Sequence, residues 1–575
     1  MKKIIIFVFI CVGIAGAALY LTHRPATPEI ESDYYADYLP EDTLLTLNLL
    51  DLSGVSETFP QSALGDFLVK PTMHEIMREL NATNMDIKIY DDLYDGLADV
   101  MTNPAFQQVF GDDAVIALRT PNPDRLRQNP EQEIQDSMLA FGTSATVGPI
   151  ERIARIIMSK NFTNEHVSGL DMTRIRLNEN EILYGYSENG ILILAYNPDS
   201  IVTAVKQKKT GNTLRNSTRF TATEKFWGKN ADGHVYAQSY LNIVQLRTLL
   251  ATSKQEKIKN AAAYLNGVTN TGGLIVAHQG ELHITTQTAY DPSSFHEAVK
   301  KQYQSLPDEN FSLSMLTEKT LLHYWFSNLN NDCIKTLLSI VNSEQGYTTA
   351  DETIQQELGF SLEQVMTAAG PQAGIAIQAI INAGMFPLPK TVLFLQIQDR
   401  KTAQQILDKL RKKITEQGFA EEHHEEIHGH TIYYWTVMPI EATHLATVLT
   451  DNMLYIANGE SSLKKLLADQ QEPTELPQAM SDALGDSLAQ RVTGTNYSTF
   501  FMRPAQIAAQ SGEAADWLSE MLLASKNVSA KKLLKELLKL MGSIDIITIS
   551  GNIEKKHATS TVIFKKMKTG SAEKK

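Results

Sequence analysis

The stretch GLIVAHQGELHITTQTAY, residues 273–290, reads as two β-strands folded about Gln279-Gly280. Glycine there supplies the positive φ that a tight two-residue hairpin turn demands. A second stretch of the same kind, IDIITISGNIEKKHATSTVIF, occupies residues 544–564, and Ser550-Gly551 is its expected turn. One hairpin lies near the middle of the chain and the other near its end. That placement invites a comparison of the chain with itself.

The comparison finds further echoes in the same order. Leu39-Pro40-Glu41-Asp42 opens an apolar strand, LLTLNLL, and Leu306-Pro307-Asp308-Glu309 opens FSLSML. GDDAVIA (111–117) answers GPQAGIA (370–376), and GILILAYN (190–197) answers NMLYIAN (452–458). Equivalent points stay about 260–270 residues apart. The expected organisation is therefore two similar halves, residues 39–300 and 306–567, with a tether at 23–38 before them and a basic tail at 568–575 after them.

Within each half the elements alternate in type. Asp399 caps an expected helix whose apolar stripe is Ala403, Ile406, Leu407, Leu410 and Ile414, and Gly418 ends it. Pro149 opens a counterpart carrying Ile150, Ile153, Ala154 and Ile157. Leu533, Leu534, Leu537, Leu538 and Met541 form another stripe ahead of the last hairpin. Strands that follow one another in sequence favour antiparallel pairing. The expected fold class is α+β: two tandem halves, each a mostly antiparallel sheet with helices on one face, behind an N-terminal transmembrane helix.

The N-terminus sets the expected location. Met1-Lys2-Lys3 precedes an uncharged run from Ile4 to Thr22. A helix of that length nearly matches a hydrocarbon core of about 30 Å. The two lysines favour a cytoplasmic N-terminus, so a single-pass protein of the cytoplasmic membrane, with its bulk extracytoplasmic, is expected. Cleavage as a signal peptide at Ala15-Gly16-Ala17 is the alternative. A net charge of −14 argues against nucleic acid as a partner. The basic end around Lys555, Lys556, Lys565, Lys566 and Lys568 reads as a solvated edge, with anionic headgroups as the sharper reading. Cys11 lies in the apolar run and Cys333 stands alone, so no intrachain disulfide framework exists.

The segment EEHHEEIHGH (421–430) contains His424-Glu425-Glu426-Ile427-His428, the H-E-x-x-H spacing. In a zinc peptidase that spacing works on a helix, where both imidazoles face one metal and the glutamate reaches its bound water. Here only Ile427 is apolar between Glu421 and His428, and Gly429 interrupts. Glu460 is nameable as a third ligand. Setting Gly169 against Gly429 puts TNEHVSGLD (163–171) opposite HHEEIHGHT (423–431), which makes the segment a strand entry. If it is extended, His424, Glu426, His428 and His430 fall on one face and could form a surface metal site. The preferred reading is a solvated strand edge, with no catalytic, cofactor or metal residue. No nucleophile elbow, P-loop or dinucleotide fingerprint is present.

On the LPED motif at 39–42, the GDDAVIA block and the GILILAYN segment, the chain resembles a family of uncharacterised bacterial membrane-anchored envelope proteins known only as a domain of unknown function. That resemblance implies location and a duplicated α+β ectodomain, and no catalytic residues. The expected role is a non-enzymatic, membrane-tethered extracytoplasmic protein that binds a protein or lipid partner or assists envelope assembly. The alternatives are a carrier or sensor of an apolar ligand held between the two halves and, more remotely, a zinc hydrolase using His424, Glu425 and His428.

Overall fold

The structure is a computed structural model. It describes residues 34–102, 110, 113–143, 162–176, 182–304, 306–307, 310–317, 319–327, 344–383, 386–416, 418, 420–469, 476–526 and 528–567. The expected anchor, Cys11, Cys333 and the helix expected after Pro149 lie outside these residues. Among the described residues no helix is long and apolar enough to cross a membrane. Two compact units divide between Ser294 and Phe295.

In the first unit the strands are β1 (Leu45–Leu50), β2 (Asp113–Leu118), β3 (Met138–Thr143), β4 (Phe162–Val167), β5 (Leu170–Arg176), β6 (Ile182–Glu188), β7 (Ile191–Ala195), β8 (His234–Asn242), β9 (Val268–His278) and β10 (Glu281–Tyr290). All pairs are antiparallel, and the spatial order is β4-β5-β6-β7-β3-β2-β1-β8-β9-β10. Three hairpins turn through adjacent residues with positive φ: Ser168-Gly169, Asn189-Gly190 and Gln279-Gly280. Both central residues of a type I′ turn need that conformation, and its twist matches the strands it joins.

The helices Pro198–Thr210 and Thr218–Asn230 cover one face of this sheet. Their Ile201, Val205, Phe220 and Trp227 pack with Val115, Phe141 and Ile193 in one buried cluster. Phe220 meets Trp227 and Tyr240 edge-on, at 5.7 and 5.3 Å between ring centroids. Each such side chain removed from water is worth about 1.5–3 kcal/mol.

The second unit contains β11 (Leu322–Phe326), β12 (Ala369–Ala383), β13 (Phe386–Ile397), β14 (Glu421–Ile427), β15 (His430–Thr436), β16 (Leu445–Leu449), β17 (Met453–Asn458), β18 (Ser498–Met502), β19 (Ile544–Ile553) and β20 (His557–Lys566). Its pairs are again antiparallel, in the order β14-β15-β16-β17-β13-β12-β11-β18-β19-β20. Adding ten to each label of the first order gives the second.

Four expectations need correction here. FSLSML is not a strand: Leu313–Met315 is a 3-10 turn. The Asn310 side chain accepts from the Ser312 backbone and hydroxyl, and Gln372 Oε1 accepts from the Phe311 N–H. Side chains therefore take the donors that a ladder would need, and the strand begins later, at Leu322. Ser550-Gly551 is not a turn but part of β19. Gly551 pairs with Ser498, and a Cβ there would stand 2.8 Å from the Ser498 hydroxyl, so the glycine serves close strand approach.

Helices in this unit also cover both sheet faces rather than one. Tyr433 and Tyr434 are consecutive in β15 and so point opposite ways. The helix Arg400–Glu416 meets Tyr433 through Arg411, whereas the helix Glu460–Asp469 meets Tyr434 through Lys464. Each helix presents its own apolar stripe: Ala403 and Leu407 on one side, Leu463, Leu466 and Leu467 on the other. The fourth correction concerns the histidines and follows below.

Candidate functional site

The histidine segment forms the β14–β15 hairpin. His428 and Gly429 take φ of 51° and 80° and make its turn. Strand pairing sets Glu421, His423, Glu425 and Ile427 on one face, across from Thr436, Tyr434, Ile432 and His430. Glu422, His424 and Glu426 take the other face, across from Trp435, Tyr433 and Thr431. His424 and His430 therefore lie on opposite faces, with His428 at the tip, so the four residues of the alternative metal-site reading do not share a face. The turn reverses the chain at His428, and a single extended run through all four cannot form. His424 and His428 also lack the helical turn that H-E-x-x-H chemistry uses. Among the described residues no three metal-ligating side chains come together.

Glu422, His423, His424 and Glu425 each have a structural neighbour. On the first face, His423 stacks on Tyr434 at 5.2 Å, and His444 stacks on the same tyrosine at 6.3 Å. His444 Nδ1 lies 3.1 Å from Glu460 Oε2, so Glu460 partners His444 rather than the H-E-x-x-H histidines. Lys464 Nζ pairs with Glu425 at 2.7 Å, and that carboxylate holds the ammonium above the usual lysine range. The would-be general base is thus an ion-pair partner.

On the second face, Arg411 Nη2 reaches Glu422 at 2.7 Å while its guanidinium lies 3.4 Å from the Tyr433 ring centroid. His424 tilts against the same ring at 6.3 Å. Arg411, His444 and Lys464 were not singled out in the sequence. Arg411 sits on the polar margin of an amphipathic helix, and nothing local marks it as the hairpin's partner. The arrangement ties a hairpin to helices above and below it. On the first face His423 Nε2 also lies 3.2 Å from the Thr436 hydroxyl.

His323 of β11 is a fully buried titratable group, stacked on Phe394 at 6.0 Å. Burial pushes its imidazole down to about 4, so it is neutral at physiological pH. Nearby, buried Trp325 donates its Nε1–H to Gln372 Oε1 at 2.8 Å. These residues are core, on the same face as the cluster containing Val392 and Tyr455.

Comparison with known proteins adds a family and little chemistry. No curated protein matches the chain. Crystal forms I and III of TP0453 each align with a TM-score of 0.23 and 9% identity, over 47% of this chain and 84% of theirs. A likeness that slight carries no argument about fold or site. The family model described as "Protein of unknown function (DUF3352)" matches residues 110–564.

Proposed function

We propose that this chain, which belongs to the DUF3352 family of proteins of unknown function, is a non-enzymatic, membrane-tethered extracytoplasmic protein that binds a partner or assists envelope assembly. In this reading a single folded unit has been duplicated behind the apolar run Ile4–Thr22. The observation that supports it best is the shared strand order of the two sheets, on which Glu425 is engaged in an ion pair and His424 lies against a tyrosine ring. A scaffold built twice offers two related surfaces to a partner.

The location is tested by fusing a reporter enzyme that works only outside the cytoplasm after residue 575. Activity is expected, and an active cytoplasmic reporter at the same point would overturn the reading. Partner binding is tested by pull-down from membranes with the native N-terminal run, against a control carrying that run alone. Enrichment no greater than the control would remove this role. Metal analysis addresses the hydrolase reading directly: His424→Ala with His428→Ala is expected to leave zinc content unchanged.

A further inference from the structure

The helix Lys531–Gly542, KKLLKELLKLMG, carries the leucine stripe read from the sequence. Such a stripe normally faces a core. Here none of its residues is buried. At about 100° per residue its apolar arc runs from Leu540 through Leu533, Leu537, Met541 and Leu534 to Leu538. Leu537 lies near the middle of that arc and is the most exposed of them, at 36%. The neighbouring helix Gly512–Lys526 exposes Trp517, Met521 and Leu523, the last at 52%.

The fold does not require this. In the first unit the helix Glu256–Tyr264, EKIKNAAAY, leads into β9 as Lys531–Gly542 leads into β19. That helix is built on alanines, and Ala262 is buried. At the second position Leu533, Leu534, Leu538, Leu540 and Met541 are half-buried beside the helices Pro504–Gln510 and Gly512–Lys526, and Leu537 is left exposed.

The basic charge belongs to the second helix, since Gly512–Lys526 holds Glu513, Asp516 and Glu520 against Lys526. The second helix holds four lysines against one glutamate, in a chain whose net charge is −14. Glu536 is paired to Lys532 at 3.5 Å, and Lys531, Lys535 and Lys539 are exposed. Asp516 approaches Lys531 only to 3.9 Å. The last strand brings more basic charge to the same place. Lys566 pairs across from Ile544, and the Met567 N–H donates to the Ser543 carbonyl, directly after the helix end. Exposed leucine, methionine and tryptophan beside lysines match an anionic membrane interface, where apolar groups sink and ammonium groups meet headgroups.

We propose that the helices Gly512–Lys526 and Lys531–Gly542 form a second membrane contact, seated on the headgroup layer of an anionic bilayer. This rests on the membrane location proposed above only for where the lipid comes from.

The test uses the full chain with Cys11→Ser and Cys333→Ser and one new cysteine, Leu537→Cys, bearing an environment-sensitive fluorophore. A control places the label at exposed Asp232 instead. Vesicles of phosphatidylethanolamine with phosphatidylglycerol are compared with vesicles of phosphatidylcholine, each doped with nitroxide lipid. Quenching at position 537 well above the control is expected in the anionic vesicles alone. Lys535→Glu with Lys539→Glu should lose that quenching while the circular dichroism spectrum is retained. Quenching at 537 no greater than the control, or equal in both lipids, overturns the proposal. So does shielding that appears only as protein concentration rises, which would mean a second copy covers the face. If the N-terminal run fails to hold the chain in membranes, high salt releases the protein from the anionic vesicles. Quenching at low salt still reports the helix pair, so the two failures are distinguishable.

Discussion

The hairpins β4–β5 and β14–β15 occupy the same position in their two sheets, and their turns have nearly the same backbone. Ser168-Gly169 takes φ of 50° and 87°, and His428-Gly429 takes 51° and 80°. Their side chains share almost nothing. The first hairpin carries an exposed His166–Asp171 pair at 2.7 Å. The second carries stacked imidazoles, a buttressing arginine and a lysine–glutamate pair. The difference teaches that backbone geometry is fixed by the strand order, while the polar surface is free to change. A histidine-rich sequence at such a place therefore says little about chemistry until its partners are known.

The largest test of the comparison lies in the centre of the sheets. Trp325 pairs with Gly374 and Thr499, as Asn48 pairs with Val115 and Gln238. Trp325→Ala empties a fully buried site and leaves Gln372 Oε1 with the Phe311 N–H but without the indole donor, so a loss of about 3–5 kcal/mol in denaturant unfolding of the second unit is expected. Asn48→Ala should cost the first unit clearly less. Equal losses would break the claim that the two centres are packed differently.

A pH titration sharpens the same contrast, because His323 stands where the first unit has Thr46. The folded-state value near 4 is depressed below the ordinary 6.5. The unfolded chain therefore binds the extra proton first. The stabilisation is fully present above pH 6.5 and drains away as pH falls toward 4. Up to roughly 3 kcal/mol is involved. Unfolding of the second unit should show this slope, and His323→Gln should remove it. A slope that survives the substitution would assign it elsewhere.

The turns provide a smaller test in which equality is expected. Gly169→Ala and Gly429→Ala have open space around the new methyl, so only the positive φ opposes them. Each should cost about 1–2 kcal/mol. A marked inequality in thermal unfolding would show that the histidine hairpin's partners relieve or add strain. The smallest effect belongs to Arg411→Ala, which removes a partly exposed ion pair and a cation–π contact worth about 1 kcal/mol together. A double-mutant cycle with Glu422→Ala would show no coupling if the pair is idle.

Much of the scaffold was legible in the sequence. The Gln279-Gly280 turn, the cap at Asp399 and the strand in LLTLNLL follow from local rules, because glycine, capping side chains and apolar patterning act within a few residues. Gly551 misled because glycine serves both turns and close strand approach, and only the neighbouring strand tells which. FSLSML misled because Gln372, 61 residues away from Phe311, takes a backbone donor that a strand would have used.

By itself, then, the amino-acid order determined most element types, FSLSML excepted, the antiparallel pairing and the improbability of a helical zinc site at His424. Those depend on short-range sterics and hydrophobic period. Only the tertiary structure decided that helices clothe both faces of the second sheet, that Lys464 and His444 engage the hairpin's carboxylate and tyrosine, and that Leu537 is left exposed. Those depend on which distant segments arrive alongside, and no local preference encodes a neighbour that lies far off in the chain.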